Sequence, residues 1–225
     1  MRGAWIRFVL RWAWFALAAA SMAAGDFEAR LGRMEATAKA EPKNASIRFE
    51  IGRMLHWEGS LGRKEVGDPA VKWLREVLKL QPTNAFARAL IGSSMTLQAR
   101  DASFPPNRLR LAKAGIAEMD AAVRAAPEDP NVRFTRASNN LYLPALFKRA
   151  DVVKADFAWL DERVRRQAAE LGTEFCQWTF CFHGLAKKKM GDPAAAAALW
   201  TEGVKLDPKS DAARRMRKEC RCDLP

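Results

Sequence analysis

The chain has 225 residues, 49% of them apolar and 28% charged, with a formal net charge of +12. This composition excludes a disordered polypeptide, and the length suffices to bury one sizeable core or two small ones. One tyrosine, abundant Ala, Leu, Arg and Lys, and no alternating run of β-branched residues between turn signals point to an all-α protein.

The first residues, "MRGAWIRFVLRWAWFALAAASMAAGD", read as an address. A basic stretch ends at Arg11, an apolar run follows from Trp12 to Ala20, and Ser21 and Ala23 satisfy the small-x-small rule for cleavage after Ala23. The uncharged stretch is about thirteen residues, short of the ~20 that a spanning helix needs. Residues 1–23 are therefore expected to be a signal peptide and 24–225 the mature domain, periplasmic or secreted, without stable membrane insertion once the signal is cleaved. The alternative is an uncleaved N-terminal segment that anchors the protein in the inner membrane.

Beyond this address, apolar periodicity and turn signals predict helices over 26–40, 44–58, 69–80, 84–99, 107–125, 130–141, 144–164, 173–190, 192–206 and 210–220. In 69–80 the apolar face is Val71, Leu74, Val77 and Leu78; in 192–206 it is Ala196, Leu199, Trp200 and Val204. Four segments resemble one another: "AEPKNASIRFEIG", "LQPTNAFARALIG", "AAPEDPNVRFTRA" and "LDPKSDAARRMRK". Each places a proline after the end of one helical pattern, then a polar turn, then a new helix. Arg48, Arg88, Arg133 and Arg214 stand six residues after these prolines, and Gly52, Gly92 and Ala137 stand ten after the first three. A small residue there lets one helix approach its partner closely.

The prolines are spaced by 40, 45 and 81 residues, so the last gap holds two units. Its second unit, about 177–210, carries Phe180, Gly184, Ala196, Trp200, Gly203 and Pro208. This pattern resembles the tetratricopeptide repeat (TPR), a 34-residue helix-turn-helix unit, and the resemblance extends to uncharacterised exported bacterial TPR proteins. It implies a right-handed α-solenoid of about four helix pairs, with lengthened loops at "EGSLGRKEVGD", "ARDASFPPNR" and "LYLPALFKR" and a C-terminal capping helix. It also implies a non-catalytic protein–protein interaction module, binding a peptide or partner protein on a concave face lined by the first helix of each pair.

On that implication the partner-binding candidates are Arg88, Ser93, Arg133, Arg136 and Asn140. Guanidinium groups match carboxylate geometry, and the basic surface favours acidic partners. The competing reading lays each recurring arginine on the preceding turn, and it is favoured because the position recurs with the structural consensus. Asn140 either clamps a ligand backbone, as in peptide-binding TPR proteins, or competes for local backbone bonds before Pro144, the favoured reading. "ASFPPNRLRLAK" is either a functional insertion or a rigid start to a long helix. No nucleic-acid module is present, and an export signal separates the protein from nucleic acid, so no nucleic-acid partner is expected. His56 and His183 lie far apart in sequence and suggest no nucleophile–base pair, so no enzyme activity, catalytic residue, cofactor or metal site is expected.

Cys176, Cys181, Cys220 and Cys222 are disulfide candidates, since paired cysteines are common in an oxidising compartment. Within a regular helix, Cys176 and Cys181 would have Cα atoms ~8.6 Å apart, beyond the ~7 Å a disulfide tolerates. A bridge between them requires Cys176 to precede the helix; a bridge to Cys220 requires the tail to fold back. A 34-residue offset places Arg215 beside Cys181. The alternative function is a redox- or metal-linked accessory for envelope protein maturation that uses these cysteines.

Overall fold

The computed structural model describes residues 24–220; the expected signal segment and Cys222 lie outside the described residues. Among them there are ten α-helices and no strand. These are α1 (Ala24–Ala40), α2 (Ala45–Ser60), α3 (Gly67–Leu80), α4 (Ala85–Asp101), α5 (Pro105–Ala125), α6 (Pro130–Asn140), α7 (Ala150–Leu171), α8 (Thr173–Lys189), α9 (Pro193–Leu206) and α10 (Asp211–Cys220). Short 3-10 turns occupy Lys64–Val66 and Ala145–Phe147. No described helix is long and apolar enough to cross a membrane.

The four proline segments fold into one recurring turn. In each, the residue two after the proline donates its backbone N–H to the carbonyl of the residue before the proline: Asn44 to Glu41, Asn84 to Gln81, Asp129 to Ala126 and Ser210 to Asp207, at 3.0–3.3 Å. The side chain of that same residue then caps the next helix. Asn44 accepts from Ile47 N at 3.1 Å, Asn84 from Ala87 N at 2.9 Å, Asp129 from Asn131 N at 2.8 Å and Ser210 from Ala213 N at 3.0 Å. A helix N-terminus leaves amide donors unsatisfied, and a short polar side chain meets one of them.

The chain divides into two compact units, one ending at Arg136 and one beginning at Ala137, with the division inside α6. In the first unit α2 packs on α3, α3 on α4, α4 on α5, and α2 also on α4. In the second, α8 packs on α7 and α9, α9 on α10, and α8 also on α10. Contact of a first helix with its own partner and with the next first helix is the nearest-neighbour rule of a stacked helical repeat.

The small residues sit where helices meet. A Cβ at Gly52 would come within 2.6 Å of Leu74 Cγ, and one at Gly92 within 2.5 Å of the Gly115 carbonyl. Gly184 lies against the Trp200 indole and Gly203 against Met216, so the consensus glycines of the last pair are packing positions. The indole N–H of Trp200 donates to Cys181 O at 3.1 Å, and Gln177 caps the end of α9 through Gly203 O and Asp207 O, both at 2.9 Å.

Most helix boundaries agree with the periodicity to within two residues. The exception is the segment expected at 144–164. Pro144 opens the 3-10 turn, Lys148 sits at φ 51, and α7 starts only at Ala150. It then runs past Val164 to Leu171, bending at Gln167 and ending at Gly172 with φ +80. Residues 165–170 are mostly exposed, so apolar periodicity marked the buried part of the helix and not its end. The extra length of the second pair is shared with its helices: α4 has 17 residues and α5 has 21.

Candidate functional site

The recurring arginines act within the turns. Arg48 donates to the carbonyls of Ala38, Glu41 and Asn44 at 2.9–3.0 Å, Arg133 to Pro127 O at 2.6 Å and Arg214 to Lys209 O at 2.8 Å. Their cations therefore sit on carbonyls at or just beyond the end of the preceding helix, where the macrodipole favours positive charge. Arg88 differs: its guanidinium lies 3.9 Å from Glu118 of α5.

The residues expected to line a groove take separate places. Ser93 is fully buried inside α4. Arg136 donates to Asp120 of α5 at 3.1 Å. Glu118 and Asp120 are two residues apart on one helix, roughly 200° around its axis, so Arg88 and Arg136 meet different sides of α5. Asn140, in the second unit, is 3% exposed, and neither atom of its amide has a hydrogen-bond partner.

The histidines are structural neighbours of other groups. His56 Nδ1 is 3.1 Å from Ser94 Oγ in the core of the first unit, and burial together with the Arg100 cation lowers its pKa to about 4. His183 stacks on Phe157 at 5.6 Å, with Nδ1 3.7 Å from Asp161. Ser94 is fully buried, so its pairing with His56 has no access to substrate.

Cys176 and Cys181 are both free and buried, and both lie inside α8. The condition for a bridge between them, Cys176 preceding the helix, is therefore not met, and neither is stapled to the tail. Cys220 is the last residue of α10. The expected offset between α8 and α10 holds: Arg215 lies within electrostatic reach of Cys181 and over the Phe182 ring at 4.9 Å. Burial pushes the Cys176 thiol up and that of Cys181 up to about 12. Among the described residues, no group of three His, Cys, Asp or Glu side chains is placed to hold a metal ion.

Periodicity did not single out a surface groove of about 410 Å³ in the first unit. It is lined by Asp68, Val71, Lys72, Arg75, Glu76 and Lys79 of α3, Met95 and Gln98 of α4, and Arg110 and Leu111 of α5. Lys79 pairs with Glu76 at 2.6 Å, and Gln98 donates to Asp68 at 2.6 Å. Lys72 and Arg75 are exposed and make no ion pair among the described residues. Lys72, Arg75 and Lys79 form the solvated face of the amphipathic helix α3. Arg110 belongs to "ASFPPNRLRLAK", where Pro105 and Pro106 open α5 and the next turn delivers Arg110 to the groove.

Repeated proline turns, small residues at helix crossings and first-helix-to-first-helix packing define an all-α fold of stacked helix pairs like that of tetratricopeptide repeats. A solved structure to which the chain is similar is a thermophilic TPR protein of Thermus thermophilus, with a TM-score of 0.68 at 14% identity. The match covers 88% of this chain and 92% of that one. No protein-family model and no curated protein matches the sequence.

Proposed function

We propose that the protein is a non-catalytic adaptor of the bacterial cell envelope that binds a peptide or partner protein of acidic character. The carrying observation is the stacked-helix fold itself, with the one Ser94–His56 contact buried in the core of the first unit. The positive excess of the chain favours an acidic protein partner over a neutral one. Export rests on the sequence of the first 23 residues. The concave face implied by the first helices is one surface for this partner, with Arg88 and Arg133 its half-exposed candidates.

The test is expression of the full chain in a bacterial host, fractionation, N-terminal sequencing, and chemical cross-linking in cells with identification of the captured protein. The expected result is a chain beginning at Ala24 in the periplasmic fraction, joined to a specific acidic partner. A chain retaining Met1 in the membrane fraction would replace export by anchoring. The absence of any reproducible cross-linked partner would overturn the adaptor reading.

The redox alternative meets a chemical obstacle, because thiol reactivity requires accessible thiolate and burial works against it. Cys176 and Cys181 are expected to resist alkylation by iodoacetamide in the native protein and to react fully in denaturant, as read by mass spectrometry. Rapid native labelling of either would revive that alternative.

A further inference from the structure

We propose that the groove along α3 docks an acidic amphipathic helix of the partner. The inference rests on the adaptor reading and gives it a surface different from the one lined by first helices: α3 and α5 are the second helices of their pairs.

The charges set the first requirement. Lys72, Arg75 and Lys79 are three and four residues apart on α3, forming a cationic row roughly 10 Å long at ~1.5 Å per residue. Arg110 adds a fourth cation from α5. Of the two carboxylates of the lining, Glu76 is paired with Lys79, and Asp68 accepts from the neutral amide of Gln98 and keeps its charge, so four cations face two carboxylates. Lys72, Arg75 and Arg110 lack a carboxylate partner among the described residues. The remaining field of the groove is positive, and the ligand it attracts is anionic.

The floor sets the second requirement. Val71 and Met95 are already core residues, 6% and 8% exposed, with Leu111 packed against them, so only a narrow apolar strip is left for a ligand to cover, at roughly 25 cal/mol per Å². Thioether and branched aliphatic side chains make an adaptable surface for other apolar side chains. A ligand must therefore bring carboxylates above all, with no more than a narrow apolar stripe beside them. A helix with acidic residues three and four apart beside an apolar stripe offers both at the spacing of the cationic row. An extended peptide repeats on one face every ~6.7 Å and matches that row less well. Single-stranded nucleic acid uses aromatic platforms for its bases, and this lining contains none.

The probe is a labelled 18-residue helical peptide of Ala, Leu and Glu with Glu at three- and four-residue spacing, titrated into the full chain and followed by fluorescence anisotropy. The triple variant Lys72→Glu, Arg75→Glu, Arg110→Glu is expected to weaken binding by about tenfold or more. A control with the same charge change, Lys39→Glu, Arg124→Glu, Lys205→Glu, is expected to weaken it by less than about threefold. All six positions are exposed, so neither variant touches the core, and circular dichroism checks that both fold. A probe with Lys in place of Glu is expected to bind the groove variant better than the native protein, a reversal that general destabilisation does not produce.

Equal loss in both variants, or no binding of the acidic probe, overturns the proposal. So does tighter, groove-dependent binding of a single-stranded oligonucleotide. If the cross-linked partner binds the groove variant as well as the native chain, the groove assignment fails while the adaptor reading stands. If no partner is recovered at all, the adaptor reading itself fails.

Discussion

Gly184 shows how much one absent methyl group does in this molecule. Its Cα faces the Trp200 indole closely enough that a Cβ would overlap the ring, and that indole is held by its bond to Cys181 O. The ring cannot retreat without giving up the hydrogen bond and its buried seat. Gly184→Ala is therefore expected to lower stability by about 1–3 kcal/mol, the usual range for overpacking, measured by urea unfolding. Adding Trp200→Leu, which removes the obstacle, should make the alanine tolerable relative to the Trp200→Leu background.

His56 carries a pH dependence of defined sign. Its pKa in the fold is about 4 against 6.5 for the free side chain, so between these values the unfolded chain binds more protons than the folded one. Stability is then fully present above pH ~6.5 and declines as the pH falls toward ~4, by roughly 3 kcal/mol at one pKa unit per 1.36 kcal/mol. Comparing urea unfolding of the native protein with His56→Asn across pH 7 to 4 isolates this contribution. The difference between the two should grow smaller as the pH falls, and a constant difference would remove His56 from the account.

At the scale of elements, the turn is the unit that recurs. Proline stops one helix, the residue two later caps the next, and the arginine six later reaches back to turn carbonyls. Asn84→Ala is expected to cost about 1 kcal/mol through loss of the cap to Ala87 N, read as a drop in Tm. Arg133→Met separates two readings of the recurring arginines. Its bond to Pro127 O predicts a Tm lower by about 2–4 °C with partner affinity unchanged. A large affinity loss at constant Tm would make Arg133 a contact residue.

Boundaries were legible where a capping residue or proline marks them, as at Asn44, Asn84 and Asp192. They were not legible at α7, because exposed residues 165–170 continue the helix without adding to its apolar stripe. The burial of Ser93 was not legible for a related reason. Ser93 looks polar and available in sequence, but polarity does not report which side of α4 a neighbouring helix covers, and the structure buries it.

For the whole molecule, nearest-neighbour stacking limits how far a local defect spreads. Gly184→Ala is accordingly expected to accelerate amide hydrogen exchange in α8 and α9 while the amides of α2 and α3 in the first unit keep their protection. Uniform acceleration throughout the chain, measured by mass spectrometry at peptide resolution, would show a single cooperative body instead.

The division between the two sources of information follows from what each interaction requires. The amino-acid sequence alone determined the all-α class, the proline-marked turns with their caps, the small residues at helix crossings and the offset that sets Arg215 beside Cys181. Each of these depends on local backbone chemistry or on a fixed repeat length, and both are written along the chain. Only the tertiary structure decided that Arg48, Arg133 and Arg214 face turn carbonyls, that Cys176 and Cys181 are free and buried, and that Lys72, Arg75 and Lys79 share a groove with Arg110. Those facts depend on which surfaces of separate helices meet. A side chain's burial and its partners across helices are set by packing, which no single stretch of sequence contains.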